Sequence, residues 1–152
     1  MPKIIPFLWY NDQAEQAMLH YLSIFKNSKA GEISRMGPGG PVFSVTFTIE
    51  GQEFYALNGG PMYSFTPAIS LFVSCDNQAE VDELYGKLSA GGSEDRCGWL
   101  KDKFGLSWQI IPKRMGQLMR DKDPVKSQRV MQAMMKMKKI DLAALEAAYA
   151  GA

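Results

Sequence analysis

The stretch Phe43-Ser44-Val45-Thr46-Phe47-Thr48-Ile49-Glu50-Gly51-Gln52-Glu53-Phe54-Tyr55-Ala56-Leu57 decides the fold. Phe43, Val45, Phe47 and Ile49 alternate with Ser44, Thr46 and Thr48, the period-two signature of a strand with one buried face. Glu50-Gly51-Gln52 then reads as a tight hairpin turn into a second strand over Glu53–Leu57. Upstream, Ala30–Met36 is a strand candidate, closed by the turn Gly37-Pro38-Gly39-Gly40-Pro41. Further upstream, Ile4–Tyr10 is a short apolar, aromatic run bounded by Asn11-Asp12 and predicts another strand. Between these two, Ala14, Ala17, Met18, Tyr21, Leu22 and Phe25 recur at helical spacing. Asp12 with Glu15 fits a capping box at the start of that helix. The order is strand, helix, strand, strand, strand.

The same order returns downstream. Ala68–Cys75 reads as a strand, and Asp76-Asn77 can cap a helix carrying Val81, Leu84, Tyr85 and Leu88. Gly91-Gly92 ends that helix. Ser93–Cys97, Trp99–Lys101 and Leu106–Ile111 complete three more strands, with a turn around Asp102–Gly105. Both helices open on Gln-Ala-Glu (residues 13–15 and 78–80), which together with the repeated order indicates an internal duplication. The expectation is one α+β domain over residues 1–152: a first βαβββ half over 3–58, a second over 67–112, and a helical tail over 113–152. In the tail, Asp123-Pro124 starts a helix with proline where its missing donor costs nothing. Val130, Ala133, Met134 and Met137 line one face of it. Ile140 and Leu145 can form a hydrophobic staple around an Asp141 cap.

Composition bounds the function. The chain has 152 residues, 46% apolar and 22% charged, with a formal charge of +1. That balance makes no case for nucleic acid or an anionic membrane as partner. Nine Lys and Arg between Lys113 and Lys139 read as a solvated helical face, because no aromatic is interleaved for base stacking. The run Met62–Val73 is broken by Ser64, Thr66, Pro67 and Ser70, so nothing in it spans a bilayer. The N-terminal Met-Pro-Lys-Ile-Ile-Pro lacks the apolar core of a signal peptide. Cys75 and Cys97 form no CxxC pair and read as reduced thiols of a cytoplasmic protein.

Several segments resemble a known family: Pro6-Phe7-Leu8-Trp9-Tyr10, Tyr21-Leu22-Ser23-Ile24-Phe25, Phe54-Tyr55-Ala56-Leu57-Asn58-Gly59-Gly60-Pro61, and Cys97-Gly98-Trp99-Leu100-Lys101-Asp102-Lys103-Phe104-Gly105-Leu106-Ser107-Trp108-Gln109. In the tail, Arg129–Met134 and Lys138–Ala148 also look typical of it. With the repeated βαβββ order, the chain is similar to the vicinal oxygen chelate superfamily of glyoxalases, extradiol dioxygenases and antibiotic-resistance proteins. Within it the likeness is to the PhnB-like family, whose members often carry the label 3-demethylubiquinone-9 3-methyltransferase. The resemblance implies that each half curls a four-stranded sheet around a concave site, usually in a homodimer.

Glyoxalase-like relatives hold a divalent metal there with His, Glu or Gln side chains, and such ions need several converging oxygen or nitrogen donors. Aligned by pattern, the corresponding positions here are Ile5 or a neighbour, Ser70 and Gln109, of which only Gln109 suits a metal. The sole histidine, His20, falls on the first helix. No metal and no cofactor are therefore expected. S-adenosylmethionine enzymes of the common type need a glycine-rich turn between a parallel strand and a helix. Neither Gly37–Gly40 nor Gly59-Gly60 offers one. Cys97 beside Arg96 has no evident base, so a nucleophile role finds no support. What remains is an aromatic cavity with a few polar groups, the usual composition of a small-molecule site. Trp9, Tyr55, Asn58, Ser70, Trp99 and Gln109 are the expected lining, although tryptophans on strands also serve as core. Strand parity sends Trp108 and Gln109 to opposite faces, so at most one of them lines the cavity. Binding of a small organic molecule is the favoured reading. A metal-dependent lyase, isomerase or dioxygenase and the methyltransferase of the family label are the alternatives.

Overall fold

The computed structural model describes residues 2–152; Met1 of the N-terminal stretch lies outside them. The chain divides into two compact units, one ending at Phe65 and the other spanning Thr66–Ala152. The first holds β1 (Phe7–Tyr10), α1 (Ala14–Ile24), β2 (Ser28–Arg35), β3 (Val42–Ile49) and β4 (Gln52–Asn58). Its sheet runs β1-β4-β3-β2, with β1 parallel to β4 and the other pairs antiparallel. Ala14, Ala17, Met18, Tyr21 and Ile24 of α1 are buried, as are the alternating strand residues Leu8, Tyr10, Val45, Phe47, Ile49, Phe54 and Ala56. Phe47 and Phe54, opposite each other in register, stack at 5.4 Å. Tyr10 and Tyr21 share a hydroxyl hydrogen bond of 3.0 Å, which satisfies both buried phenols. The Glu50-Gly51 turn has both residues in the left-handed region, at φ 50° and 80°, as the twist of a two-residue hairpin requires.

Two local expectations are corrected. β1 starts at Phe7 rather than Ile4, because its parallel ladder with β4 begins at Phe7 opposite Tyr55. The Asp12–Glu15 capping box does not form: α1 is capped at Gln13 without a side-chain bond. The Ala14 N–H instead donates to Asn58 Oδ1 at 2.8 Å. Tyr10 and Asn58 are register partners at the end of the parallel pair, so the strand end stands level with the helix start. A cap from a distant strand has replaced a local one.

The second unit repeats the topology with β5 (Ser70–Cys75), α2 (Gln78–Ser89), β6 (Ser93–Glu94), β7 (Trp99–Lys101) and β8 (Ser107–Pro112), ordered β5-β8-β7-β6. Val81, Leu84, Tyr85 and Leu88 of α2 are buried, together with Cys75, Leu100, Trp108 and Ile110 of the strands. Here the local cap does form: Asn77 Oδ1 accepts from Glu80 N–H at 2.9 Å, and Glu80 Oε1 accepts from Asp76 N–H at 2.7 Å. β6 is shorter than the expected Ser93–Cys97. The Cys97 and Gly98 N–H groups donate to Met137 and Lys138 carbonyls at 2.8 and 2.7 Å, so a tail segment takes the place of further strand pairing.

The tail forms α3 (Lys113–Met119), α4 (Pro124–Met134) and α5 (Leu142–Ala150). Ile111, Met115, Leu118, Val130, Ile140 and Leu145 form its buried cluster, with Met119, Ala133, Met134 and Met137 packed against it. Asp123 and Asp141 cap α4 and α5, and Ile140 and Leu145 are both fully buried around the second cap. Gln78, at the start of α2, ties the tail down: Nε2 donates to Ile140 O at 2.8 Å and Oε1 accepts from Leu142 N–H at 2.7 Å. No helix among the described residues is long and apolar enough to cross a membrane.

The β7–β8 turn is organised by one carboxylate. Asp102 is 2% exposed; its Oδ1 accepts from the Phe104 and Leu106 N–H groups at 2.9 and 3.0 Å, and Oδ2 from Trp108 Nε1 at 2.9 Å. Replacing Asp102 by Ala strands these donors in a poorly hydrated site. The expected loss is about 2–4 kcal/mol, since each buried unpaired donor costs roughly 1–3 kcal/mol. A urea unfolding midpoint unchanged from the parent would refute this role.

Candidate functional site

A single helix covers one face of a four-stranded sheet, and period-two alternation assigns the remaining residues to the other face. In the first unit the open face carries Phe7, Trp9, Ser44, Thr46, Tyr55 and Leu57, all half-buried except the exposed Phe7. Phe7 and Tyr55 meet edge to face at 6.1 Å, and Trp9 meets Tyr63 in the same way at 5.0 Å. The Trp9 indole donates to Gly60 O at 3.0 Å. A Cβ on Gly59 would overlap that indole, so glycine is required for the ring to lie against the loop. Trp9 and Tyr55 thus share a face. Asn58 does not join them with a free amide: Oδ1 caps α1 and Nδ2 donates to Val42 O at 3.1 Å.

In the second unit the open face brings Ser70, Trp99 and Gln109 together. Trp99 and Gln109 are register partners on β7 and β8, and Gln109 Nε2 donates to Ser70 Oγ on β5 at 3.0 Å. Phe72, 60% exposed, is the β5 partner of Gln109 and extends the apolar surface. Trp108 points to the helix side, 2% exposed and bonded to Asp102, as parity requires. Sequence reasoning passed over Lys101 and Ser107, which share the open face. Parity from Gln109 points to Ser107, but only strand register aligns Lys101 with it.

The remaining chemistry is quiet. Burial first, then the Glu80 carboxylate, pushes the Cys75 thiol up to about 12, so it is un-ionised at neutral pH. Cys97 is half-buried at φ 60°, in the loop held by the tail. Among the described residues no group of three or more His, Cys, Asp or Glu side chains is placed to hold a metal. The donors on the second open face are neutral hydroxyls, one amide and one ammonium, a set that does not suit a divalent cation. Both glycine clusters are turns: Gly37–Gly40 joins two antiparallel strands, and Gly59-Gly60 opens a loop.

Comparison with known proteins places the chain. The profile of the family described as 3-demethylubiquinone-9 3-methyltransferase matches residues 2–111. The helical tail lies outside that match. The structure of a PhnB protein from Bacillus cereus is similar at 38% identity and TM-score 0.67, covering 73% of this chain and 99% of that one. Protein PA1353 from Pseudomonas aeruginosa shares the fold at 17% identity and TM-score 0.63, covering 74% and 98%. The fosfomycin resistance protein FosX from Listeria monocytogenes, solved with Mn(II) and sulfate, shares it at 17% and TM-score 0.52, covering 71% and 90%. No curated protein matches the chain.

The Trp9 arrangement is directly testable. Gly59→Ala should push the indole off the loop, break its bond to Gly60 and shift tryptophan emission. The cost expected is about 1–3 kcal/mol, as for overpacking generally. Unaltered emission and stability would show that the loop gives way instead.

Proposed function

Because the chain belongs to the 3-demethylubiquinone-9 3-methyltransferase family, with the fold of the glyoxalase and bleomycin-resistance proteins of the vicinal oxygen chelate superfamily, we propose that it binds a small organic molecule without a metal. The observation that carries this reading is the Trp99–Gln109–Ser70 set: an aromatic side chain beside a hydrogen-bonded polar pair on the sheet face opposite α2. Such a face matches the apolar surface with few polar anchors that small-molecule sites use. Trp9 and Tyr55 offer a second aromatic surface in the first unit, and Asn58 supports it through the backbone. The donor set argues against the metal-dependent lyase, isomerase or dioxygenase reading. The methyltransferase reading lacks a glycine-rich turn between a parallel strand and a helix.

The partner in this reading is a small molecule rather than nucleic acid. Much of the tail's positive charge is spent internally: Lys113 on Asp76, Arg114 on Glu146, Lys139 on Asp82, and Arg129 on the Ala148 and Tyr149 carbonyls. A homodimer in the cytoplasm is the matching state. β2 is an edge strand carrying the exposed Ile33, and Met36 and Phe43 beside it are exposed too, the kind of surface that pairing covers. Light scattering at micromolar concentration should give twice the chain mass; a monomer mass would remove this element.

A ligand screen read by tryptophan fluorescence tests the binding reading. A bound aromatic or apolar molecule should shift emission, equally with and without a chelator, on protein in which elemental analysis finds no stoichiometric metal. Trp99→Ala should abolish the response at a stability cost below the roughly 3–5 kcal/mol of a buried aromatic truncation. About one metal ion per chain, or a response that chelation removes, would overturn the metal-free reading. Full destabilisation with no ligand in a broad screen would leave Trp99 as core.

A further inference from the structure

On the open face of the second sheet, register aligns four residues across all four strands: Ser93 on β6, Lys101 on β7, Ser107 on β8 and Ser70 on β5. The row holds three hydroxyls and one ammonium, and no carboxylate. Ser107 is 0% exposed, and its Oγ has no hydrogen-bond partner. A buried hydroxyl left unpaired costs free energy that a hydrogen-bonding ligand would recover. Lys101, half-buried directly across from it, makes no ion pair among the described residues, whereas Lys87, Lys113, Arg114 and Lys139 each have a carboxylate. Ser70 Oγ accepts from Gln109, which leaves its own O–H free to donate. The row therefore concentrates unspent donors and a single unspent positive charge.

The next row along the strands is Trp99, Gln109 and Phe72. Two residues of strand separate the rows, roughly 6.6 Å at about 3.3 Å per residue. We infer that this face receives an organic monoanion, a carboxylate joined to an apolar or aromatic body. The carboxylate accepts from Lys101 Nζ and the Ser107 and Ser70 hydroxyls, and the body lies against Trp99 and Phe72. One ammonium with neutral donors balances one negative charge, which favours a carboxylate over a dianion. A charge-assisted bond is about twice as strong as a neutral one, so the anion should outrank its neutral isostere. This inference rests on the small-molecule reading proposed above and names the ligand class for that site.

The test is a panel of aryl and alkyl carboxylates, each paired with its primary amide, titrated against the intact protein. The carboxylates should bind at least about tenfold tighter than their amides, a gap of roughly 1.4 kcal/mol. Lys101→Met should erase that preference while leaving amide affinity in place. Ser107→Ala should weaken carboxylate binding several-fold without lowering the melting temperature, because it removes a polar group that pairs with nothing in the protein. Amides binding as well as acids, an acid preference that survives Lys101→Met, or a destabilised Ser107→Ala would overturn the anion assignment while leaving small-molecule binding standing. A panel in which neither acids nor amides bind sinks both readings together.

Discussion

One helix can cover only one face of a four-stranded sheet, and that constraint shapes both halves of this protein. α1 buries Ala14, Ala17, Met18, Tyr21 and Ile24, α2 buries Val81, Leu84, Tyr85 and Leu88, and the strands answer from their facing side. Val45, Phe47 and Ile49 on β3 are buried while Thr46 and Thr48 between them are not. On β8, Trp108 and Ile110 are buried on one face and Gln109 is half-exposed on the other, where Ser107 and, in the tail cluster, Ile111 are buried as well. Hydrophobic burial therefore does two things at once: it holds each unit together and it defines, by exclusion, the face available for a ligand.

Polar side chains then fix details that burial leaves loose. Asn58 caps a helix more than forty positions earlier in the chain and clamps the Val42 carbonyl. Asp102 gathers the β7–β8 turn and the Trp108 indole. Gln78 uses both ends of its amide to hold the start of α5. In each case one side chain pairs two or more groups that would otherwise be left without a partner. The tail adds to this by supplying the Met137 and Lys138 carbonyls to the loop before Trp99, so a segment outside the family match helps set the edge of the candidate binding face.

Family membership and site chemistry point to different levels of description. The 38% identity to the Bacillus cereus PhnB protein carries the family; the 17% identity to FosX carries only the fold. One scaffold can carry different side chains on its open face, because that face is built from side chains the helix does not constrain. Here those side chains are Ser, Lys, Gln and Trp.

Much of the architecture was legible from the residues alone. The alternation around Phe43–Leu57, the helical spacing of Ala14–Phe25 and Val81–Leu88, and the repeated element order carry the two βαβββ halves, because periodicity is a local consequence of which face is buried. Parity likewise separates Trp108 from Gln109. Long-range contacts were not legible: the Asn58 cap, the Met137–Lys138 strap, and the alignment of Lys101 with Ser107. Those depend on strand order and register, which bring together residues with no pattern linking them along the chain. The sequence by itself determined which residues of a strand share a face, since alternation is a property of neighbouring residues. Only the tertiary structure decided which exposed residues of different strands stand side by side, since register is set by pairing between segments.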